Sequence, residues 1–384
     1  MKKKILIDAT PVTSLVDGLS NYIINLIKYL PAESFAEFEY TILINKGLIR
    51  DDFIPVLSSG KYNILEKKIA PIGPKRDWDM FWFLLKYKKK FHLIHITSNN
   101  YPFSLGKGVC TIHDITFKRY FDHPKYSFKM ATVYMNAVIK RCLKKSTAVI
   151  AVSQSTKNEL TKWYHLDNKM QQKIKVVYQG WEHLKEYENT STCRDMFANN
   201  NEYIFYLGTA RIHKNISNLL RGYSLAINAI PPDKKLAISG FSKHLNYKDR
   251  ELLLQINKKE KRVIFTGYLT NECVEKYFRK ADAYILPSLS EGFGIPILEA
   301  FYYNTPVLCS NTTSLPEVAG NAAIYFDPYD PAAISNAIIS LYNDPSGAAH
   351  LVEEGKKQLY HFSWVKTAVQ TVNIYRECIS KLHH

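Results

Sequence analysis

Two acidic residues eight positions apart, Glu291 and Glu299, frame the stretch best equipped for chemistry: Leu286-Pro287-Ser288-Leu289-Ser290-Glu291-Gly292-Phe293-Gly294-Ile295-Pro296-Ile297-Leu298-Glu299-Ala300. An apolar run ends near Leu286 and a loop with two glycines follows. A helix is predicted to open at about Pro296, where proline's missing N–H costs nothing. Gly292 and Gly294 let the backbone come close to a ligand, so main-chain N–H groups and the positive end of the helix can face an anion. A carboxylate accepts two hydrogen bonds, which suits the hydroxyl pair of a ribose or hexose. An anion cradle between two such carboxylates describes a pocket for a nucleotide sugar. A tight turn with one solvated Glu and one Glu placed by the helix dipole would use the same residues. The strand–Gly–Gly–Pro context favours the first reading.

Such a loop needs a sheet to hold it. Lys4–Asp8, Tyr40–Ile44, Leu93–Thr97, Gly108–Ile112 and Ala148–Val152 read as buried strands in the first half. Tyr203–Leu207, Lys235–Ser239, Arg262–Thr266, Ala283–Leu286, Pro306–Ser310 and Ala323–Phe326 do so in the second. Short apolar runs bounded by turn residues and alternating with helical stretches predict parallel sheets of βαβ units. Two doubly wound α/β domains follow, with ligand sites at the carboxyl ends of their strands. The polar, Asn-rich stretch Tyr187–Asn201 is the candidate connection, giving domains over 1–190 and 200–364. An amphipathic run over about 365–384 reads as a closing helix that packs back on the first domain.

The 384 residues leave room for two cores, and 46% hydrophobic against 22% charged residues excludes wholesale disorder or a fibrous repeat. No apolar run approaches the roughly 20 residues a membrane span requires. Lys2-Lys3-Lys4 precede three apolar residues before Asp8 intervenes, which fits a first strand better than a signal peptide. The scattered cysteines Cys110, Cys142, Cys193, Cys273, Cys309 and Cys378 show no metal spacing and read as reduced thiols of a cytoplasmic protein. A net charge of +16 requires an anionic partner: nucleic acid, a membrane, or a phosphate-bearing substrate. Nucleic acid is disfavoured, because no nucleic-acid motif is present and the acidic pair would sit badly in a phosphate groove.

The Glu291–Glu299 segment resembles the E-x7-E signature of retaining glycosyltransferases with the GT-B fold, the large family-four (group 1) set. That set includes bacterial mannosyl-, rhamnosyl- and N-acetylglucosaminyltransferases of cell-surface polysaccharides. Thr111-Ile112-His113-Asp114-Ile115, Ala151-Val152-Ser153-Gln154-Ser155-Thr156, Tyr206-Leu207-Gly208-Thr209 through Lys214-Asn215, Asn304-Thr305-Pro306-Val307 and Ser314-Leu315-Pro316-Glu317-Val318-Ala319-Gly320 resemble further segments of the family. The resemblance covers nearly the whole chain. It implies two Rossmann-like domains facing a central cleft, an acceptor-binding one and a nucleotide-sugar-binding one.

Roles follow from the same resemblance. His113 and Glu291 would be catalytic, His113 near the reacting sugar carbon through its side chain or carbonyl. Lys214 would neutralise the diphosphate, and Glu299 would bind the ribose hydroxyls. Gly18 would approach the donor phosphates. Such families carry a second cation at the position of Thr209 or His213; this chain departs from that pattern and has Arg211 between them. The amides of Phe293, Gly294 and Ile295 would hold phosphate or sugar oxygens. The donor would be a nucleotide diphosphate hexose, GDP-mannose first, with UDP- or TDP-linked glucose, rhamnose or N-acetylglucosamine as the alternative. The acceptor would be a glycan or a polyprenyl-linked sugar, and retention would proceed by same-face attack within an ion pair. No cofactor and no metal is implied. Asp77-Trp78-Asp79 has a metal-binding spacing but precedes a helical run, Met80–Lys86, and reads as capping and dipole pairing. Asp114 reads as an N-cap. A nucleotide-sugar epimerase on the same fold is a further alternative, and a basic nucleic-acid-binding protein is the alternative from another class.

Two basic stretches, Pro124–Lys145 and Phe81–Lys90, interleave lysines with apolar and aromatic residues. They fit either a surface resting on an anionic inner leaflet or ordinary helices with solvated lysines.

Overall fold

The computed structural model describes residues 1–12, 17–47, 49–71, 73–120, 128–187, 203–209, 211–240 and 245–382. The chain forms two compact units, Met1–Gly180 with Ser363–His384, and Trp181–Phe362.

The first unit is built on a seven-stranded sheet in the order β3-β2-β1-β4-β5-β6-β7. Its strands are β1 (Lys3–Asp8), β2 (Phe38–Asn45), β3 (Asn63–Lys67), β4 (Leu93–Ile96), β5 (Val109–Ile112), β6 (Ala148–Ala151) and β7 (Ile174–Val176). The second unit has six strands, β8 (Tyr203–Tyr206), β9 (Lys235–Ser239), β10 (Val263–Gly267), β11 (Ala283–Leu286), β12 (Val307–Ser310) and β13 (Ala323–Phe326), in the order β10-β9-β8-β11-β12-β13. Neighbouring strands pair in parallel throughout, as with Ile5 opposite Tyr40 and Tyr284 opposite Val307. The central strands are apolar because helices cover both faces: Ile5, Leu6 and Ile7 are fully buried, as are Ile204, Phe205 and Tyr206. Burying each such side chain contributes roughly 1.5–3 kcal/mol.

In each sheet the strand order reverses once, between β1 and β4 and between β8 and β11. At these points the loops leaving the two central strands turn opposite ways and open a crevice. The Glu291 loop follows β11 and the Lys214 loop follows β8, so both lie at the reversal in the second unit.

β3 and β7 lack the apolar runs of the other strands. β3 is an edge strand with Asn63, Ile64 and Glu66 exposed, and β7 is three residues long. The helix after β1 begins at Gly18, where the Asp17 carboxylate accepts the Ser20 N–H at 2.7 Å and fixes the first turn. The capping role read for Asp77-Trp78-Asp79 is overturned. These residues lie inside the helix Pro74–Tyr87, whose cap is Gly73 at φ +85°. Asp77 pairs with Arg141 at 3.2 Å and takes the Tyr134 hydroxyl at 3.0 Å, while Asp79 accepts the Ala70 N–H at 2.8 Å. The connecting stretch beyond Tyr187, through Asn201, lies outside the described residues.

The final helix, Trp364–Leu382, packs on the first unit, where Trp364 is fully buried. Cys110, Cys142, Cys309 and Cys378 are free and buried. Cys273 departs from the all-reduced reading, since its sulfur is disulfide-bonded. Among the described residues no helix is long and apolar enough to cross a membrane.

Candidate functional site

In the second unit the loop after β8 makes one turn of 3-10 helix, Ile212–Lys214, and delivers the Lys214 ammonium to the Glu291 carboxylate at 2.6 Å. Both side chains are largely buried, 20% and 15% exposed, so the charges meet in poorly solvated surroundings. Burial pushes the Glu291 carboxyl up. The charge and hydrogen bond of Lys214, with Ser288 and His213, outweigh it and hold the group below the usual glutamate range. Glu291 is ionised at neutral pH.

Four loops, those after β8, β11, β12 and β13, are fastened around this pair. Asn215, in the left-handed region at φ +60°, spends both amide protons on backbone, donating to the Pro287 carbonyl at 2.9 Å and the Pro328 carbonyl at 2.7 Å. The Leu289 N–H donates to the His213 carbonyl at 2.8 Å. From the loop after β12, the Ser314 hydroxyl lies 3.0 Å from the Glu291 carbonyl and 2.8 Å from that of Phe293, and Thr313 Oγ1 accepts the Glu291 N–H at 3.1 Å. The backbone of Glu291 is thus held on both sides.

The helix Ile295–Tyr302 opens one residue before Pro296, and its cap is Gly294 at φ +109° with no side-chain hydrogen bond. Its positive end therefore carries no capping side chain. The backbone conformation of Gly294 requires glycine, and a Cβ there would also lie 3.0 Å from Leu315 Cδ2, a tight approach. Phe293 is buried with its ring edge-on to Phe362, centroids 5.6 Å apart, which fixes the loop between the two glutamates.

Glu299 projects from that helix. It is 9% exposed, and its Oε2 has no hydrogen-bond partner among the described residues. Burial pushes its carboxyl up to about 7. A buried carboxylate oxygen without a donor costs on the order of 1–3 kcal/mol, and a ligand hydroxyl would relieve that cost. Arg211 precedes the 3-10 turn and is exposed, forming no ion pair with the other site residues.

In the first unit His113 follows β5 and is half-buried. Its Nε2 lies 2.9 Å from the Thr97 carbonyl, which can act solely as an acceptor, so Nε2 carries the proton and Nδ1 is the acceptor. Burial pushes the imidazole below its ordinary value despite Thr97, Asp114 and Asp17, so it is neutral at pH 7. Its N–H donates to Asn99 Oδ1 at 2.9 Å, and its carbonyl accepts the Thr156 hydroxyl at 3.3 Å. Asp114 is not a helix cap: it accepts the Thr116 N–H at 3.0 Å and folds the loop back, while Ile115 stands at the cap position. Gly18 heads its helix with ordinary backbone angles and open space where a Cβ would stand. Neither its conformation nor its neighbours demand glycine.

Sequence reasoning picked out Lys214, Glu291 and Glu299 but not the supporting Thr313, nor the fastening roles of Ser314 and Asn215. Ser314 and Asn215 sit inside quoted motifs; Thr313 carries no sequence signal. Among the described residues no group of three or more His, Cys, Asp or Glu is placed to hold a metal ion.

Two parallel α/β units of seven and six strands are the fold of the GT-B glycosyltransferases. Residues 194–358 match the family "Glycosyl transferases group 1" and residues 16–182 match "Glycosyltransferase Family 4". The O-antigen chain mannosyltransferase B of Escherichia coli is 29% identical over 303 residues, 77% of this chain and 76% of that one. The O-antigen chain mannosyltransferase RfbU of Salmonella typhimurium is 28% identical over 281 residues, covering 69% and 70%. The solved structure of Anabaena Alr3699/HepE in complex with UDP and glucose superposes with a TM-score of 0.71 at 15% identity, over 98% of this chain and 100% of that one. The chain belongs to the group 1 glycosyltransferases of family four.

Proposed function

We propose that the protein is a retaining hexosyltransferase that moves mannose from GDP-mannose to a cell-surface glycan or lipid-linked acceptor, without a metal ion. The observation that carries the nucleotide-sugar reading is the orphaned, buried Oε2 of Glu299 one helix turn beyond an uncapped helix start and the Lys214 cation. The ribose hydroxyls donate to Glu299, and the diphosphate lies against Lys214 and the amides of Phe293, Gly294 and Ile295. Glu291, exchanging Lys214 for the substrate, accepts from hydroxyls of the transferred sugar. The bond from the anomeric carbon to the phosphate oxygen breaks, and a bond to the acceptor oxygen forms on the same face. The acceptor's proton passes to the departing phosphate oxygen, and the nucleoside diphosphate leaves. His113, through Nδ1 or its carbonyl, stabilises the oxocarbenium-like centre. Gly18 admits the phosphates to the loop after β1, and Arg211, exposed, supplies a second cation when the donor binds. The domains are assigned as 1–190 for the acceptor and 200–364 for the donor.

Mannose is favoured because the two relatives named above are mannosyltransferases. A UDP-linked glucose, rhamnose or N-acetylglucosamine donor is the second reading, favoured by the UDP and glucose in the structural neighbour. Melting the protein in chelator with GDP-mannose, UDP-glucose and TDP-rhamnose separates these: stabilisation by one donor, lost in Glu299→Ala and Lys214→Ala, names it. Stabilisation by DNA or RNA alone would instead overturn the transferase reading.

A peripheral contact with an anionic membrane belongs to the same proposal. The helices Pro74–Tyr87 and Phe128–Lys145 are joined through Asp77, and the loop beside them is tied in by the Phe103 N–H to Asp77 at 3.2 Å. Trp78, Phe81 and Phe103 stack at 5.6 and 5.5 Å, and Trp78 and Trp82 are each 59% exposed. Exposed Lys86, Lys88, Lys89, Lys90, Lys144 and Lys145 accompany them; Lys125 lies outside the described residues. Exposed tryptophans with lysines suit the interface of an anionic bilayer. Co-sedimentation with phosphatidylglycerol vesicles, lost in the double variant Trp78→Ala and Trp82→Ala and absent with phosphatidylcholine, is the expected result. The free buried thiols favour the cytoplasmic face, with Cys273 as the exception.

A further inference from the structure

A second histidine of the first unit, His95, is fully buried in the middle of β4 and takes no part in the chemistry above. Its Nδ1 lies 2.7 Å from the hydroxyl of Tyr375 on the final helix, and its Nε2 lies 2.9 Å from Thr111 Oγ1. Thr111 in turn lies 3.0 Å from the hydroxyl of Tyr22, on the helix after β1. The Tyr22 ring stands edge-on to the His113 ring, centroids 4.7 Å apart and planes at 84°. On its other side Tyr22 meets Trp364, at 6.1 Å. Thr111 and His113 are two residues apart, at the end of β5 and just beyond it. Side chains two apart on a strand share a face, and the row Tyr375–His95–Thr111–Tyr22 runs along that face to His113.

Four polar groups in a row inside an apolar core are not what packing alone selects. Apolar replacements of the same shape would be nearly neutral or stabilising, since each polar group here must be desolvated before it can pair. Burial holds the His95 imidazole down at about 3, so it is neutral throughout the working range and supplies no charge to the fold. What the row does supply is direction. Each member has a single proton to give, so every hydrogen bond sets the orientation of the next group, and the last of them fixes the Tyr22 ring against His113.

We propose that Tyr375, His95, Thr111 and Tyr22 form a positioning row by which the final helix fixes the His113 imidazole for reaction, with Tyr375 and His95 as positioning residues. The proposal rests on the reading of His113 as the group beside the reacting carbon. The neutral imidazole is then held from two sides, by the Thr97 carbonyl at Nε2 and by the edge-on Tyr22 ring, which leaves Nδ1 as its acceptor nitrogen.

The test uses the full-length protein and the donor that stabilises it. Tyr375→Phe removes one hydroxyl and keeps the ring, so the fold stays intact while the row loses its anchor. Because a misplacement of about 1 Å can cost as much as ~100-fold in rate, kcat is expected to fall roughly tenfold with donor KM unchanged. The pair Tyr375→Phe with His95→Leu, apolar throughout, should melt no lower than the natural chain and still show the reduced kcat. Tyr22→Phe combined with Tyr375→Phe should cost little more than either alone, because the two act through one row. The imidazole 15N resonances of His113 should shift in Tyr375→Phe. Unchanged kcat and resonances in Tyr375→Phe, with His113→Ala inactive, would overturn the row while leaving the His113 reading standing. Full activity in His113→Ala would overturn both. A fall in melting temperature with kcat unchanged would make the row a packing feature and nothing more.

Discussion

Glu299 should pull stability and affinity in opposite directions. Its carboxyl sits at about 7 in the folded chain against 4.5 for an unburied glutamate, and burial is the cause. Because the folded value lies above the unfolded one, the proton stabilises the fold fully below about 4.5, and that contribution is lost as pH rises through about 7. A gap of roughly 2.5 units at ~1.4 kcal/mol each corresponds to about 3.5 kcal/mol. Glu299→Gln keeps the shape and never ionises, so at pH 8 the ligand-free variant should be more stable than the natural chain. The gain is at most that amount, less ~1 kcal/mol for the buried amide's own unmet hydrogen bond. At pH 5 the two should melt alike. Affinity should move the other way. If the ionised carboxylate is the form that accepts the ribose hydroxyls, donor binding by the natural chain should weaken roughly tenfold from pH 8 to pH 6, the ratio of ionised fractions for a group at about 7. A nucleotide sugar is the right probe, because its esterified diphosphate keeps a constant charge over this interval. Calorimetric titration and thermal melts on both proteins measure the two effects. A variant that is less stable at pH 8, or one that keeps the natural pH slope of binding, would refute the assignment of Glu299.

Other perturbations have outcomes of known sign. Lys214→Met leaves the Glu291 carboxylate buried without its cation and should cost about 3 kcal/mol by denaturant titration; adding Glu291→Gln should restore the midpoint while nucleotide-sugar binding stays lost. Gly294→Ala forces a Cβ into a left-handed position 3.0 Å from Leu315 Cδ2 and should lower the melting temperature and donor affinity together, by about 1–3 kcal/mol in stability. Arg76→Met orphans Asp8, whose side chain is 0% exposed and pairs with that guanidinium, and should destabilise the first unit by ~3–5 kcal/mol in a denaturant titration.

The residues proposed to touch a ligand are easier to read in the sequence than those that hold them. Apolar runs marked every central strand because both faces of a parallel sheet are covered, whereas β3, an exposed edge, and β7, three residues long, lack that pattern. Glycines and prolines marked the Glu291 loop because its turn demands them, and Gly294 at φ +109° is that demand met. The grip of Ser314 and Thr313 on Glu291 was hidden, because it spans 22 and 23 residues of chain and depends on how β12 lies beside β11. Asn215 binds Pro328 across 113 residues for the same reason. Asp77 misled because a helix-start acid looks like a cap, and nothing local reveals that its charge is claimed by Arg141, 64 positions away.

The second unit is an insertion. The chain leaves the first unit after Gly180 and re-enters at Ser363, where the hydroxyl of Thr367 reaches the Tyr178 carbonyl across 189 residues. Translation must therefore make all of the second unit before it can finish the first. At ~5–20 residues per second, Tyr178 waits roughly ten to forty seconds for its partner. During that wait His95 and Tyr22 lack Tyr375 and Trp364, and an apolar sheet face stands open to the ribosome's surroundings. The contiguous second unit can close meanwhile, and on the proposed assignment it would bind nucleotide sugar on the nascent chain. Competence to bind the donor would then precede competence to transfer, and a chain released early would be a sugar-nucleotide sink with no outlet, and a substrate for chaperones.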